Sequence, residues 1–165
     1  MISEFFVSAV RKASGLAGIL SAAMIGVSIL VVCQMVFVRY FISTPTTWQT
    51  ELVTYLLVGA TLIGCPYVLM IRGHVSVDLL PHYLSPYGRK RLSLVGAVAG
   101  IFFCAVLLLS SFDLWYNAWS GEWVSDTVWA VALWIPYSAL PLGFGLMLLQ
   151  YVADVLVLIK GGETP

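Results

Sequence analysis

Three polar residues suggest chemistry at first sight. Glu51 stands just before a charge-free apolar run, Leu52 to Ile71, and His74 and Asp78 follow the end of that run. An acid together with a histidine–aspartate pair is the kind of set that can donate and accept protons. His74 and Asp78 are four residues apart, so they share a face if their segment is helical. The alternative is a solvated turn in which the histidine merely opens a helix. Whether Glu51 can ever meet them depends on the elements between and around them.

Composition decides what those elements are. The chain has 165 residues, of which 61% are hydrophobic and 10% charged, with a mean hydropathy of +0.97. Soluble domains carry about 25% charged residues, so this is an integral membrane protein. The formal net charge is zero, which leaves no basic surface for nucleic acid. Cys33, Cys65 and Cys104 lie in separate apolar runs without C-x-x-C spacing. They read as buried apolar thiols rather than as a redox or metal set.

The first run, Ala13 to Val38, follows Arg11-Lys12 and is closed by Arg39. It exceeds the 7–15 apolar residues or so of a signal peptide and suits a retained membrane helix. Thr44-Pro45-Thr46-Thr47 forms a turn, and Thr46 with Gln49 matches a capping box for the second helix. Arg72-Gly73 ends that helix. His74 to Leu84 is too short to span but carries an imperfect apolar face, as an interfacial helix would, with Pro86 and Gly88 ending it. A third run begins at Leu92, after Arg89-Lys90-Arg91, and stays uncharged to Asp113. Helical character is expected to continue through Trp115, Trp119 and Trp123, with a break near Ser120-Gly121-Glu122. In the last run Pro136 suits a helix start, and Thr127 to Trp134 forms an apolar lead-in at the membrane surface.

The expected fold is thus an all-α integral membrane protein, a single domain over 1–165. Its four transmembrane helices cover about 14–38, 50–71, 92–113 and 136–159, with an interfacial segment at 74–84 between helices two and three. Four spans put both termini on one side. If that side is cytoplasmic, Arg11, Lys12, Arg72, Arg89, Lys90, Arg91 and Lys160 lie inside, and of the 8 Lys and Arg residues only Arg39 lies outside. The expected orientation is N-in, C-in. Glu51 and the His74–Asp78 pair then sit on opposite faces of the bilayer and cannot share a reaction.

Two further patterns bear on partners. All 6 tryptophans fall in the outer half. They make a heavy interfacial belt, or an outer surface that also docks onto another protein. Small residues recur every four positions, at Gly96, Gly100 and Cys104, at Ala22 and Gly26, and at Ala60 and Gly64. Such positions let helices approach closely, within this chain or against another. Arg39 and Glu51 bracket the first outer turn. They could pair there or share a role at a partner interface. Otherwise Arg39 snorkels to headgroups while Glu51 is favoured by its helix start.

No charged residue falls mid-span, where one would cost about 2.5–3.5 kcal/mol or more and usually marks a transport pathway. Both histidines lie in the inner loop, so no bis-histidine haem pair can form across helices. Catalytic sets would be split by the membrane, and glycine-rich phosphate loops are absent. The chain is expected to be neither an enzyme nor an independent ion-coupled carrier, to need no cofactor, and to support a larger assembly. The rival readings are a free-standing four-helix transporter or channel, a membrane redox or quinone enzyme, and an assembly factor for another complex.

The residues also resemble a known family. Arg39-Tyr40 closes helix one, W-x-x-E follows at Trp48 and Glu51, Gly64 lies in helix two, and H-V-x-V-D runs from His74 to Asp78. Pro141-Leu142-Gly143-Phe144 lies in helix four. Together these resemble the small membrane subunit of TRAP (tripartite ATP-independent periplasmic) transporters, the DctQ-like family. Cys65-Pro66 departs from its usual pattern and Val75 stands where isoleucine is common.

The resemblance implies a bacterial inner-membrane subunit that packs on the static scaffold of a large membrane subunit. That partner imports small organic acids, such as C4-dicarboxylates, sialic acid or related anions, driven by sodium. A periplasmic substrate-binding protein supplies them, and the small subunit itself holds no substrate. Arg39, Trp48, Glu51, Gly64, His74, Asp78, Pro141 and Gly143 become interface or structural positions. Arg89, Lys90 and Arg91 become anchors to anionic phospholipid.

Overall fold

The computed structural model describes residues 2–43, 45–71, 86–127 and 129–159. Among the described residues five α-helices follow in order: α1 (Ile2–Phe37), α2 (Thr47–Met70), α3 (Pro86–Ser120), the short α4 (Trp134–Tyr137) and α5 (Ala139–Ile159). Four helical segments are long and apolar enough to cross a membrane, the last running from Trp134 through Leu158. The interfacial segment expected at 74–84 lies outside the described residues.

α1 begins well before its charge-free run, so Arg11 and Lys12 are carried on a helix rather than on a tail. At its other end it relaxes into a π-helical turn, Val38–Ile42, closed by Ser43 in the left-handed region at φ 52°. α3 likewise outruns its apolar core. Pro86 opens it, because proline fits a first turn whose N–H groups have no intrahelical acceptor. Its far end at Ser120 agrees with the break expected there.

The capping box does not form. Thr46 precedes α2 but its side chain makes no cap hydrogen bond. Gln49 is instead buried, with Oε1 unpartnered. The Thr46 carbonyl accepts the Thr50 hydroxyl at 3.2 Å. Packing has overridden the local motif, because Gln49 is drawn inward by the face of α2 on which it lies.

α5 is the centre of the bundle. It touches α1, α2 and α3, while α1 packs along α2. In lipid the apolar surface gives helices little reason to associate, so close packing and hydrogen bonds between them must do it. The residues at the contacts match that requirement. Ala17, Ala60, Ala97, Cys104, Ala118, Ala139 and Ala153 are buried. A Cβ on Gly18 would strike the Tyr67 ring, one on Gly100 the Tyr151 ring and one on Gly59 the Met24 methyl.

Polar groups fix the depth of each contact. The Ser21 hydroxyl donates to the Ala60 carbonyl at 2.6 Å, tying α1 to α2. Ser14 donates to Gln150 Oε1 at 2.9 Å, tying α1 to α5. The Gln150 amide in turn donates to Asp154 at 3.1 Å, so this fully buried side chain has a partner at each end.

Not all of the small residues spaced by four serve contacts within the chain. Ala22 and Gly26 face outward on α1, and a Cβ on Gly26 or on Gly96 would meet nothing within 4 Å. The inward stripe of α1 is Ser14, Ser21 and Ser28, spaced by seven. Cys33 is also exposed, whereas Cys65 is half-buried and Cys104 buried. The expectation of three buried thiols therefore fails at Cys33, which lies on the outward side of α1.

Candidate functional site

The positions singled out in the sequence separate into two packing sites and one outer edge. Gly64 faces α1, where a Cβ would come within 2.6 Å of the Ser21 hydroxyl. Glycine is needed there because Ser21 is already committed to the Ala60 carbonyl one turn earlier.

Gly143 is tighter still. A Cβ would lie 2.6 Å from the Leu62 carbonyl oxygen and 2.8 Å from its carbon. Sequence chemistry explains why that carbonyl is available. Its helical partner would be the N–H of residue 66, but residue 66 is proline, which has none. Pro66 is itself fully buried. The glycine thus packs against an oxygen freed by Pro66, an approach that permits a weak C–H···O contact of the kind found between closely packed helices. Pro141, two residues before Gly143, occupies the first turn of α5, where its missing N–H costs nothing.

At the end of the bundle opposite the termini, Glu51 organises the loop between α3 and α4. Its carboxylate accepts the Tyr55 hydroxyl at 2.6 Å from one turn further along α2. It also accepts the hydroxyl of Thr127, from far along the chain. The Thr127 hydroxyl and backbone N–H meet the Ser125 hydroxyl at 3.1 and 3.4 Å. Around them the chain turns back on itself. Ser125 N–H donates to Val131 at 2.9 Å and Leu133 N–H to Trp123 at 2.8 Å, with Val124 and Ala132 bridged antiparallel. The expected apolar lead-in is thus a hydrogen-bonded turn, pinned to α2 through Glu51.

Aromatic contacts reinforce the pin. Trp48 and Trp129 meet edge to face at 6.1 Å. Trp115 and Trp119 lie 5.3 Å apart, and Trp119 lies 5.1 Å from Trp134. Trp48, Trp119, Trp123, Trp129 and Trp134 all keep substantial exposure.

Arg39 does not join this cluster. It is exposed on the π-helical turn, and Glu51 directs its oxygens to Tyr55 and Thr127 instead. The intrachain Arg39–Glu51 pair is not made: the carboxylate accepts from hydroxyls on α2 and on the α3–α4 loop, while Arg39 stays exposed. Arg89, Lys90 and Arg91 fall in the first turns of α3. His74 and Asp78 lie outside the described residues, and no group of three or more metal-ligating side chains gathers among the described residues.

Sequence reasoning missed Thr127 and Ser125, which had no motif to announce them. It also missed Gln150, for which there was a signal. Gln150 is an amide inside a charge-free run, one helical turn before Asp154, and a buried polar group there needs partners.

Comparison with known proteins places this architecture. The family described as "Tripartite ATP-independent periplasmic transporters, DctQ component" matches residues 28–161. A C4-dicarboxylate TRAP transporter small permease protein, DctQ of Vibrio cholerae serotype O1, is 24% identical over 163 residues, covering 86% of this chain and 70% of its own. The corresponding protein of Rhodobacter capsulatus is 25% identical over 118 residues, covering 72% of this chain and 52% of its own. No solved structure matches. With four helices able to span a bilayer and a family match over most of its length, this chain is an inner-membrane protein that belongs to the DctQ component family of tripartite ATP-independent periplasmic transporters.

Proposed function

We propose that this small permease component acts as a scaffold for a larger transport subunit and does not itself hold the substrate. The observation that carries the reading is the filled interior. α1, α2, α3 and α5 meet through alanine, glycine, serine and cysteine, and Gln150 is fully buried between Ser14 and Asp154. A dicarboxylate would need room and cations at mid-depth, and neither fits among such contacts.

In this reading the outward apolar faces of the bundle meet a large polytopic partner that carries out import, coupled to sodium. The substrate is a C4-dicarboxylate or a related organic anion, as the names of the two relatives suggest. Both termini are cytoplasmic, consistent with the distribution of Lys and Arg. The tryptophan-bearing edge is then periplasmic and contributes to docking a substrate-binding protein. Arg39, Trp48 and Glu51 stand at the subunit contact on that edge. His74 and Asp78 orient the inner loop, and Arg89, Lys90 and Arg91 hold the inner surface to anionic lipid.

The deciding experiment is purification from its native membrane in mild detergent, with mass identification of what comes along. Recovery of a much larger polytopic protein and a periplasmic binding protein is expected, and the chain reconstituted alone should transport nothing. Organic-acid uptake by the isolated chain would refute the scaffold role and favour a free-standing carrier.

A further inference from the structure

At one edge of the bundle, the early extension of α1 and the end of α5 line a half-open cavity of about 370 Å³. That volume is near the lower end of small-ligand sites, which run from about 300 to 1,000 Å³. Its lining divides by chemistry. Glu4, Ser8, Arg11 and Lys12 recur at helical spacing along one face of α1, and Leu156 and Val157 of α5 form an apolar wall opposite. The charge-free part of α1 begins at Ala13, so Arg11 and Lys12 sit at headgroup level with the apolar wall beside them.

One atom shows that the lining is not self-sufficient. Arg11 Nε is buried and has no hydrogen-bond partner within the chain. A buried donor left unbonded is costly, and a guanidinium pairs best with a planar or tetrahedral oxyanion.

We propose that this cavity binds the phosphodiester headgroup of an anionic phospholipid, with Arg11 and Lys12 on the phosphate and Leu156 and Val157 against the carbon skeleton. The formal charges of the lining add to one positive, since Glu4 offsets one of the two cations. That balance suits a phosphodiester monoanion better than a doubly charged free phosphate. Ser8 offers a hydrogen bond to a hydroxylated headgroup, and the apolar wall has no role with an inorganic ion. The site differs from a general attraction of basic residues to the membrane surface, because here the cations border a cavity with walls.

The test is native mass spectrometry of the full chain in mild detergent, titrated separately with phosphatidylglycerol, phosphatidylcholine and inorganic phosphate. Phosphatidylglycerol should be retained in preference to phosphatidylcholine. Retention should fall about fivefold in Arg11→Gln or Lys12→Gln and about thirtyfold in the double variant. Leu156→Trp fills the cavity without changing any charge and should lose the lipid as well, with the melting temperature of each variant reporting its folding. Equal retention of the two lipids overturns the proposal. So does unchanged retention in both the double variant and Leu156→Trp. Saturable binding of inorganic phosphate that displaces the lipid would assign the cavity to a free anion and overturn the lipid assignment. The site is read from this chain alone, so its failure leaves the scaffold role standing, and failure of co-purification leaves the lipid site standing.

Discussion

Replacing Gly143 by alanine should destabilise the bundle, although alanine is the better helix former. The added Cβ would lie 2.6 Å from the Leu62 oxygen, 2.8 Å from its carbonyl carbon and 3.1 Å from its Cβ. Two of those atoms are backbone and cannot rotate away, so α5 must move off α2 by several tenths of an ångström. Overpacking of this kind costs about 1–3 kcal/mol. Helix propensity returns about 1 kcal/mol, and the lost C–H···O contact takes away about 0.5 kcal/mol. The net is a loss of about 0.5–2.5 kcal/mol, or a fall in melting temperature of about 1–10 °C for a chain of this size.

Tryptophan fluorescence in mild detergent would follow the melt. The informative controls are Gly26→Ala and Gly96→Ala, whose new methyl groups meet nothing within 4 Å. These variants gain propensity at no steric cost and should melt at or above the parent temperature. Pro66→Ala supplies the N–H that the Leu62 carbonyl lacks, so its effect should couple to that of Gly143→Ala rather than add to it. If Gly143→Ala melts as high as the parent, or Gly26→Ala falls as far as Gly143→Ala, the account of this crossing is wrong.

Three other outcomes follow from the same contacts. Gly64→Ala should push aside the Ser21 hydroxyl and break its bond to Ala60, at a cost of about 0.6–1.7 kcal/mol. Adding Ser21→Ala should recover part of the steric cost, and a double variant less stable than Gly64→Ala would contradict this. Thr127→Val removes the hydroxyl that ties the α3–α4 loop to Glu51, so the Ser125 and Leu133 amides should exchange with solvent faster. Unchanged exchange would mean that the loop is held by its tryptophans instead. Arg39→Ala should leave the melting of the isolated chain unaltered, because Arg39 makes no bond to Glu51. It should reduce recovery of the large partner subunit, and full recovery would remove Arg39 from the interface.

The number and order of the membrane helices were legible in the sequence because hydrophobic length alone determines them. Helix ends were less so. α1 and α3 extend about three turns beyond their apolar cores at Ile2 and two turns beyond at Pro86, since a helix does not stop where the bilayer does. The facing of the helices was not legible from the small residues, which allow close approach within the chain or against another. Ala22 and Gly26 match a packing motif and point outward, whereas Ser14, Ser21 and Ser28 repeat every seven residues and form the actual seam. Both sets obey helical periodicity, and hydropathy cannot rank them in a membrane where either face can be apolar. The Glu51–Thr127 contact was beyond reach for another reason, since nothing local links residues that far apart.

That ambiguity has a physical source, which also bears on what the bundle can do. In water, burying apolar area would select the inward face. In lipid the selection falls to a few hydrogen bonds and to places where two backbones fit together. Here these are Ser21 on Ala60, Ser14 on Gln150, and Gly143 on the carbonyl freed by Pro66. Each lies at a different crossing, so together they constrain α1, α2 and α5 along the membrane normal as well as laterally. A helix sliding one turn would break all of its bonds at once, and those at mid-depth have no water to replace them. A bundle held this way resists the movements that alternating access requires of a carrier. That rigidity suits the proposed scaffold role, a fixed wall against which another subunit moves, with the outward small residues open for the contact.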